Sequence, residues 1–224
     1  NHTAGLPRLP ENIFWGNVNP KDPYSHYRKD SLLSFLQRYQ SAQKPGTKFA
    51  YSNLGAGLLG YILSQRAHQS FEQLIINQVC KPLKMNATKI ELNDRDSLLL
   101  AQGYDEKGEV TPVWNLASLQ GSGAIRSTVS DMAKYTKAQL GIMHSTLDKA
   151  IRLTHQTTFT GKDNIMGLGW RVALPGQTSY LYHSGGTGGF RSFVAFDKKR
   201  QLGIVIMSNT AEDVTHIGQA IMTH

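Results

Sequence analysis

Only one of the 224 residues is a cysteine, Cys80. With no partner in the chain it forms no internal disulfide, and the redox compartment stays open. Long apolar runs are missing too. None approaches the roughly 20 residues of a membrane-spanning helix, so no transmembrane segment is expected. Charge is sparse at 18%, below the usual value of about a quarter. Acids are the scarcer sign, and 24 Lys and Arg against 16 Asp and Glu give +8. That excess invites a nucleic-acid partner, but no helix-turn-helix, zinc-finger or aromatic RNA-binding signature accompanies it. The densest basic run, Lys198-Lys199-Arg200, lies between two apolar segments and reads as a hairpin tip. Attraction to an anionic polymer such as a cell wall fits the charge equally well. Metal-ligand spacing is absent around His68, His144, His155 and His216, and there is no His-Glu-x-x-His and no Cys cluster. Neither a metal nor a cofactor is expected. Collagen-like, disulfide-scaffold and wholly disordered classes are excluded by composition.

What is present is a hydrophobic content of 40%, enough to bury a core. The first 29 residues are rich in Pro, Asn and aromatics without periodicity and read as an ordered loop. Asp30 is placed to cap a helix carrying Leu32, Leu33, Phe35, Leu36 and Tyr39 at helical spacing. A second helix is expected from Ser52 or Asn53. Its Gly55, Gly57 and Gly60 imply that something packs closely on its first turns. Ser70-Phe71-Glu72-Gln73 is a capping box. Residues 86–125 are loop-rich, with a short strand predicted over 98–104. Thr128 caps a helix to about Leu140, and another opens between Ser145 and Asp148. From Gly167 the texture changes. Residues 168–174, 179–183, 190–196 and 202–208 read as antiparallel strands, and 211–222 as a closing helix. The fold class expected is α+β, with 1–165 mainly helical and loop and 166–224 an antiparallel sheet with a C-terminal helix.

Two stretches carry candidate chemistry. Tyr51-Ser52-Asn53 stands just before the glycine-laden helix. Tyr moves protons when a cation is near, and Asn holds a ligand amide by donor and acceptor together. A buried Tyr with a capping Asn is the plainer alternative. His183-Ser184-Gly185-Gly186-Thr187-Gly188-Gly189-Phe190 lies at a strand end, and its glycines are too many for an ordinary strand interior. They let a ligand approach the backbone, whose N–H groups then serve as oxyanion donors. A flexible hairpin loop is the alternative. A phosphate loop is excluded, because the Lys-Ser/Thr ending is missing and a strand follows instead of a helix.

In this order and context the stretches resemble the serine β-lactamase and penicillin-binding-protein superfamily, in its branch of class C β-lactamases, DD-peptidases and family VIII esterases. His2-Thr3-Ala4-Gly5-Leu6-Pro7 resembles the branch's His-Thr-Ser-Gly-Leu-Pro. Residues 45–53 resemble its Pro-Gly-x-x-Phe-x-Tyr-Ser-Asn. Pro82-Leu83-Lys84-Met85, Ser127 to Ala133, Gly167 to Trp170 and His183 to Ala195 follow in family order. The resemblance implies a β-lactamase/transpeptidase-like fold and an acyl-enzyme hydrolase acting on a β-lactam, a D-Ala-D-Ala peptide or an ester. It makes Tyr51 and His183 catalytic. Asn53, Ser184, Gly185, Gly186 and Thr187 become substrate-binding, with Ser184 on the substrate carboxylate and the Gly186 N–H in the oxyanion hole. His183 departs from the Lys typical of class C β-lactamases, although some DD-peptidases of the branch carry His there. A His is less reliably cationic at neutral pH. Trp114 is a candidate cleft wall, and Arg191 a candidate carboxylate partner.

The family's nucleophile is a Ser-x-x-Lys at a helix start. It is expected upstream of the His2 landmark, so the N-terminal helix and first strands are expected to be missing. The one Ser-x-x-Lys present, Ser41-Ala42-Gln43-Lys44, sits where a helix stops. It is read as a chance match. Residues 202–208 then become an unpaired apolar edge. The expectation is that this chain alone is inactive and is completed by a complementing N-terminal segment or by a homo-oligomer. The alternative is a non-catalytic homologue that keeps the cleft without the serine. The resemblance implies a periplasmic or secreted location and a small-molecule or peptidoglycan-derived substrate.

Overall fold

The computed structural model describes residues 1–174 and 179–224. The chain opens as a loop broken by one 3-10 turn at Glu11–Phe14. Helix α1 follows at Lys29–Arg38. Asp30 lies within its first turn and is not its cap. Arg28 holds that position without a side-chain bond, and Asp30 suits the positive end of the helix instead. Helix α2 is Asn53–Ala67, with Ser52 as its cap. Helix α3 (Phe71–Ile75) opens with the full Ser70/Gln73 capping box and continues as one π turn at Ile76–Cys80. After α4 (Asp94–Ser97) comes a hairpin of two-residue strands, β1 (Gly103–Tyr104) and β2 (Val110–Thr111). The strand expected over 98–104 therefore shrinks to its last two residues. Leu98 and Leu99 are instead highly exposed, so nothing stabilises them as a strand.

Helix α5 (Val129–Leu140) is capped by Thr128, whose hydroxyl accepts the Asp131 N–H at 3.2 Å. Helix α6 is Asp148–Thr154. The sheet then assembles in simple antiparallel order: β3 (Phe159–Thr160), β4 (Ile165–Met166), β5 (Arg171–Ala173), β6 (Tyr180–Thr187), β7 (Phe190–Asp197) and β8 (Leu202–Ser208). Helix α7 closes the chain at Thr215–Thr223. It starts later than expected because the Asp213 carboxylate accepts both the Thr215 N–H (2.9 Å) and its hydroxyl (2.6 Å). The Lys198–Arg200 run is the turn between β7 and β8.

The helices-then-sheet order is an α+β architecture, as the sequence implies. α7 and α5 both pack on the sheet. Tyr180, Phe193, Ala195, Val214 and Met222 form one buried cluster, and Leu140, Trp170 and Phe196 another. A third core of Ile13, Tyr27, Leu32, Phe35, Leu54 and Leu119 holds α1, α2 and the loop before them together. The glycines of α2 have the expected reason. A Cβ on Gly57 would lie 2.7 Å from the Leu119 side chain, and one on Gly60 only 3.0 Å from the Gly121 backbone. The 3-10 segment Ala117–Ser122 thus lies directly on the helix. β8 pairs with β7 alone and ends the sheet among the described residues.

Candidate active site

One wall of the site is the start of α2. Ser52 is 2% exposed, and its hydroxyl accepts the Gly55 N–H (2.8 Å) while donating to the Pro7 carbonyl (2.6 Å). Because Ser52 does the capping, the carboxamide of Asn53 is released from that duty. It lies beside the Tyr24 phenol. Burial pushes that phenol's pKa up, while Arg8 and the Asn53 amide pull it down. The loop 1–8 is laced to this turn by Ala50 N–H to His2 O (2.8 Å), Leu54 N–H to Arg8 O (3.1 Å) and Ser52 N–H to His2 Nδ1 (3.1 Å).

That last bond places the His2 ring on Tyr51, with centroids 4.2 Å apart and planes 33° apart. His2 Nδ1 acts as acceptor, so a neutral ring carries its proton on Nε2. Burial above all, with neighbouring positive charge adding, brings the His2 pKa down to about 4. Two guanidinium groups flank the Tyr51 ring: Arg8 at 5.2 Å and Arg171 of β5 at 5.9 Å from its centroid. Both are within cation–π range. His2 and Arg171 had no assigned role in the sequence, and both prove to be part of this cluster.

The facing wall is β6. His183 sits mid-strand and half-buried, paired with Val194. Burial first, and Arg171 after a bond to the Ser184 backbone that acts the other way, hold its pKa below the usual imidazole value. The glycine stretch does not end the strand, as the sequence suggested. β6 runs on through Gly185 and Gly186 to Thr187, and only Gly188-Gly189 form the turn. β5 pairs with β6 only as far as Tyr182. Beyond it, the side of β6 away from β7 has no strand partner among the described residues. The tight hairpin makes Thr187 and Phe190 the closing hydrogen-bonded pair. Alternation then directs the N–H groups of Ser184 and Gly186 outward, away from β7. Strand periodicity puts the Ser184 side chain on the opposite face from that of His183.

Trp114 closes the far end of the cleft. Its ring is 5.3 Å from Tyr24, and a Cβ on Gly188 would strike its indole. The Trp114 indole thus lies between Tyr24 and the β6–β7 turn. Arg191 is folded back instead. Its guanidinium donates to Thr187 O (2.8 Å) and Phe190 O (3.0 Å). A cavity of about 470 Å³ lies elsewhere, between Ile90, Leu100, Val113, Leu116 and Arg126, and shares only Trp114 with the cleft. Tyr51, Asn53 and His183 do not line it.

The pattern of the Beta-lactamase family matches residues 1–220. The chain belongs to the β-lactamase family. The β-lactamase of Escherichia coli strain K12 is 31% identical over 212 residues, covering 80% of this chain and 56% of that protein. Two solved structures carry the same fold. They are a class C β-lactamase from Rhodobacter sphaeroides (19% identity, TM-score 0.83, 98% of this chain and 68% of that one) and a β-lactamase/D-alanine carboxypeptidase from Pseudomonas syringae (23%, 0.83, 99% and 68%). The chain spans a little over half the length of the E. coli relative.

Within this β-lactamase-family chain, Ser41 lies beyond the end of α1, exposed, its hydroxyl bonded to the carbonyls of Gly5 (3.0 Å) and Gln43 (2.8 Å). No helix starts behind it. Among the described residues no group of three or more His, Cys, Asp or Glu side chains could hold a metal, and no helix is long and apolar enough to cross a membrane.

Proposed function

We propose that this chain forms the proton-handling and substrate-binding walls of a serine acyl-transfer site, for hydrolysis of a β-lactam, a D-Ala-D-Ala peptide or a small ester. Residues 1–165 bring one wall and residues 166–224 the other. The observation that carries the reading is the convergence of Tyr51 and the sheet: His2 stacks on Tyr51, Arg171 of β5 lies over the Tyr51 ring, and β5 pairs with β6 at Tyr182, next to His183.

In this reading Tyr51 carries the proton to and from the reacting oxygen. Asn53, freed by the Ser52 cap, takes the acyl-side amide. The outward N–H of Gly186 supports an oxyanion-donor role. Gly185 and Thr187 line the cleft, and Ser184 contacts a substrate carboxylate. His183, held below its usual pKa, acts as a neutral hydrogen-bonding group. The covalent step needs a nucleophile, and Ser41 is unsuited to it. Residues 1–224 by themselves therefore bind substrate without being acylated, and a Ser-x-x-Lys comes from outside them. The setting would be periplasmic or extracellular, with a peptidoglycan-derived or β-lactam ligand. The lack of a second Ser-x-x-Lys in these residues also favours a non-catalytic binder of the same ligands as the second reading.

Amide NMR of residues 1–224 during titration with benzylpenicillin and with N-acetyl-D-Ala-D-Ala tests the proposal. Shifts confined to Asn53 and His183–Thr187 are expected, with no label from a fluorescent penicillin. Absence of those shifts sinks the cleft assignment, and covalent label on Ser41 sinks the account of the nucleophile.

A further inference from the structure

We infer that the β1–β2 hairpin and Trp114 form a clamp that positions the β6–β7 turn, and through it the Gly186 N–H. The functional half of this inference rests on the acyl-transfer reading above and deepens it, because it places control of the oxyanion donor in residues 103–114.

A glycine kept so that a ligand can approach would leave the place of its missing Cβ empty. All four glycines after Ser184 have that place filled by the protein's own atoms. A Cβ on Gly185 would lie 2.5 Å from the Ser192 hydroxyl, and one on Gly186 3.2 Å from the Arg191 guanidinium. On Gly188 it would lie 2.8 Å from Cε2 of the Trp114 indole, and on Gly189 2.9 Å from the Tyr104 backbone N. The last two neighbours belong to one unit remote in sequence. Gly103 of β1 packs on the turn in return, since a Cβ there would lie 2.6 Å from the Phe190 ring.

That unit is itself anchored. The Tyr104 N–H donates to Asn209 O (2.9 Å) and the Asn209 carboxamide to Gln102 O (2.7 Å), which ties β1 to the segment just after β8. The Asp105 carboxylate closes the hairpin's own turn by accepting the Lys107 and Glu109 N–H groups, each at 2.9 Å. The Arg126 guanidinium holds Trp114 from behind by donating to its carbonyl (3.2 Å). Beyond Tyr182 the side of β6 away from β7 has no strand partner among the described residues. The turn end of β6 is therefore steadied by β7 and by this clamp. Gly186 stands two residues before Gly188, so a tilt of the turn re-aims its N–H. An oxyanion donor works only when it is aimed in advance.

The test reads amide exchange at Thr187 in the free chain, and then affinity for N-acetyl-D-Ala-D-Ala. Trp114→Ala should speed that exchange and weaken binding by about threefold to tenfold, the scale of one aromatic contact. Trp114→Phe should restore most of both. Gly188 does not have the positive φ of Gly189, so Gly188→Ala acts through the indole and should change both readouts in the same direction. Added to Trp114→Ala it should cost nothing more, because no indole remains to be displaced. Ile151→Ala, a core change in α6, should lower the melting midpoint and leave both readouts as they were. Unchanged exchange and affinity in Trp114→Ala overturn the inference. Full additivity of the two substitutions, or an equal loss of affinity in Ile151→Ala, overturns it as well. Faster exchange with unaltered affinity in Trp114→Ala overturns its functional half. Failure of the unaltered chain to bind overturns the acyl-transfer reading and that half with it, while the exchange rates still decide whether the clamp holds the turn.

Discussion

His2 and His155 are half-buried imidazoles whose pKa values are brought down to about 4, burial being the largest cause in each. His155 is fixed by Gln139 Oε1 at 2.7 Å and faces the Phe196 ring at 5.0 Å. The unfolded chain holds a proton on each up to about pH 6.5, whereas the folded chain refuses it until about pH 4. Folded stability is therefore fully present above about pH 6.5 and is lost as pH falls through the interval between those values. Urea midpoints should drop from pH 7 to pH 5, and His155→Gln should make the drop smaller. A midpoint that rises on acidification would contradict the assignment. The sequence singles out Tyr51, Asn53 and His183 because each sits in a short stretch that resembles a family motif. It does not single out Arg171. Its place over the Tyr51 ring joins residues far apart in sequence, and a lone Arg at the start of a strand carries no local signal. Asp30 was misplaced by two positions for a related reason: an acid in a first turn and an acid at a cap look alike until the backbone angles are known.

Among the elements, α2 shows how close approach is encoded. Ala in place of Gly57 would gain up to about 1 kcal/mol of helix propensity. Its Cβ would also press to within 2.7 Å of the Leu119 side chain and 2.9 Å of the Leu119 backbone. Overpacking of that kind costs about 1–3 kcal/mol and wins. Gly57→Ala should thus lower the denaturant midpoint, and Gly121→Ala, whose Cβ would strike the Ala56 carbonyl, should lower it more. A more stable Gly57→Ala would show that Leu119 yields. The same glycine logic failed on β6. Gly185 and Gly186 lie inside a strand, where sequence rules expect a break, because β7 supports one side while the other is left open. The Ser70 and Thr128 caps were legible, since each needs only a residue three positions on, whereas the start of α2 was left between Ser52 and Asn53. The 98–104 strand was overread because apolar residues there have no partner to bury against.

For the whole molecule, the sheet ends at β8, as the sequence reading expected. One face of that strand is covered by α5 and another part by α7, but its outer rim of backbone groups has no partner among the described residues. Met207, 40% exposed, stands on it. Open rims of this sort pair with other strands, and a lysine is the usual deterrent. Sedimentation velocity on residues 1–224 should show association that grows with concentration and weakens in Met207→Lys. A monomer at every concentration would mean that the rim is protected in some other way. The fold class was readable from the order of patterns along the chain, whereas the two-residue strands β3 and β4 were too short to leave a periodic trace. The seam that joins residues 2–8 to residues 46–54 has a meaning in time as well as in space. Gly46, Ala50, Ser52 and Leu54 each spend a backbone N–H on that early loop, across more than forty intervening positions. Such a loop must close before any of these bonds exists. The first turn of α2 and the tyrosine ahead of it are therefore fixed by contacts distant in sequence, which form more slowly than neighbour contacts. The helix body and the β6–β7 hairpin need only neighbouring residues, whereas the shape of the turn before α2 also waits on this loop closure.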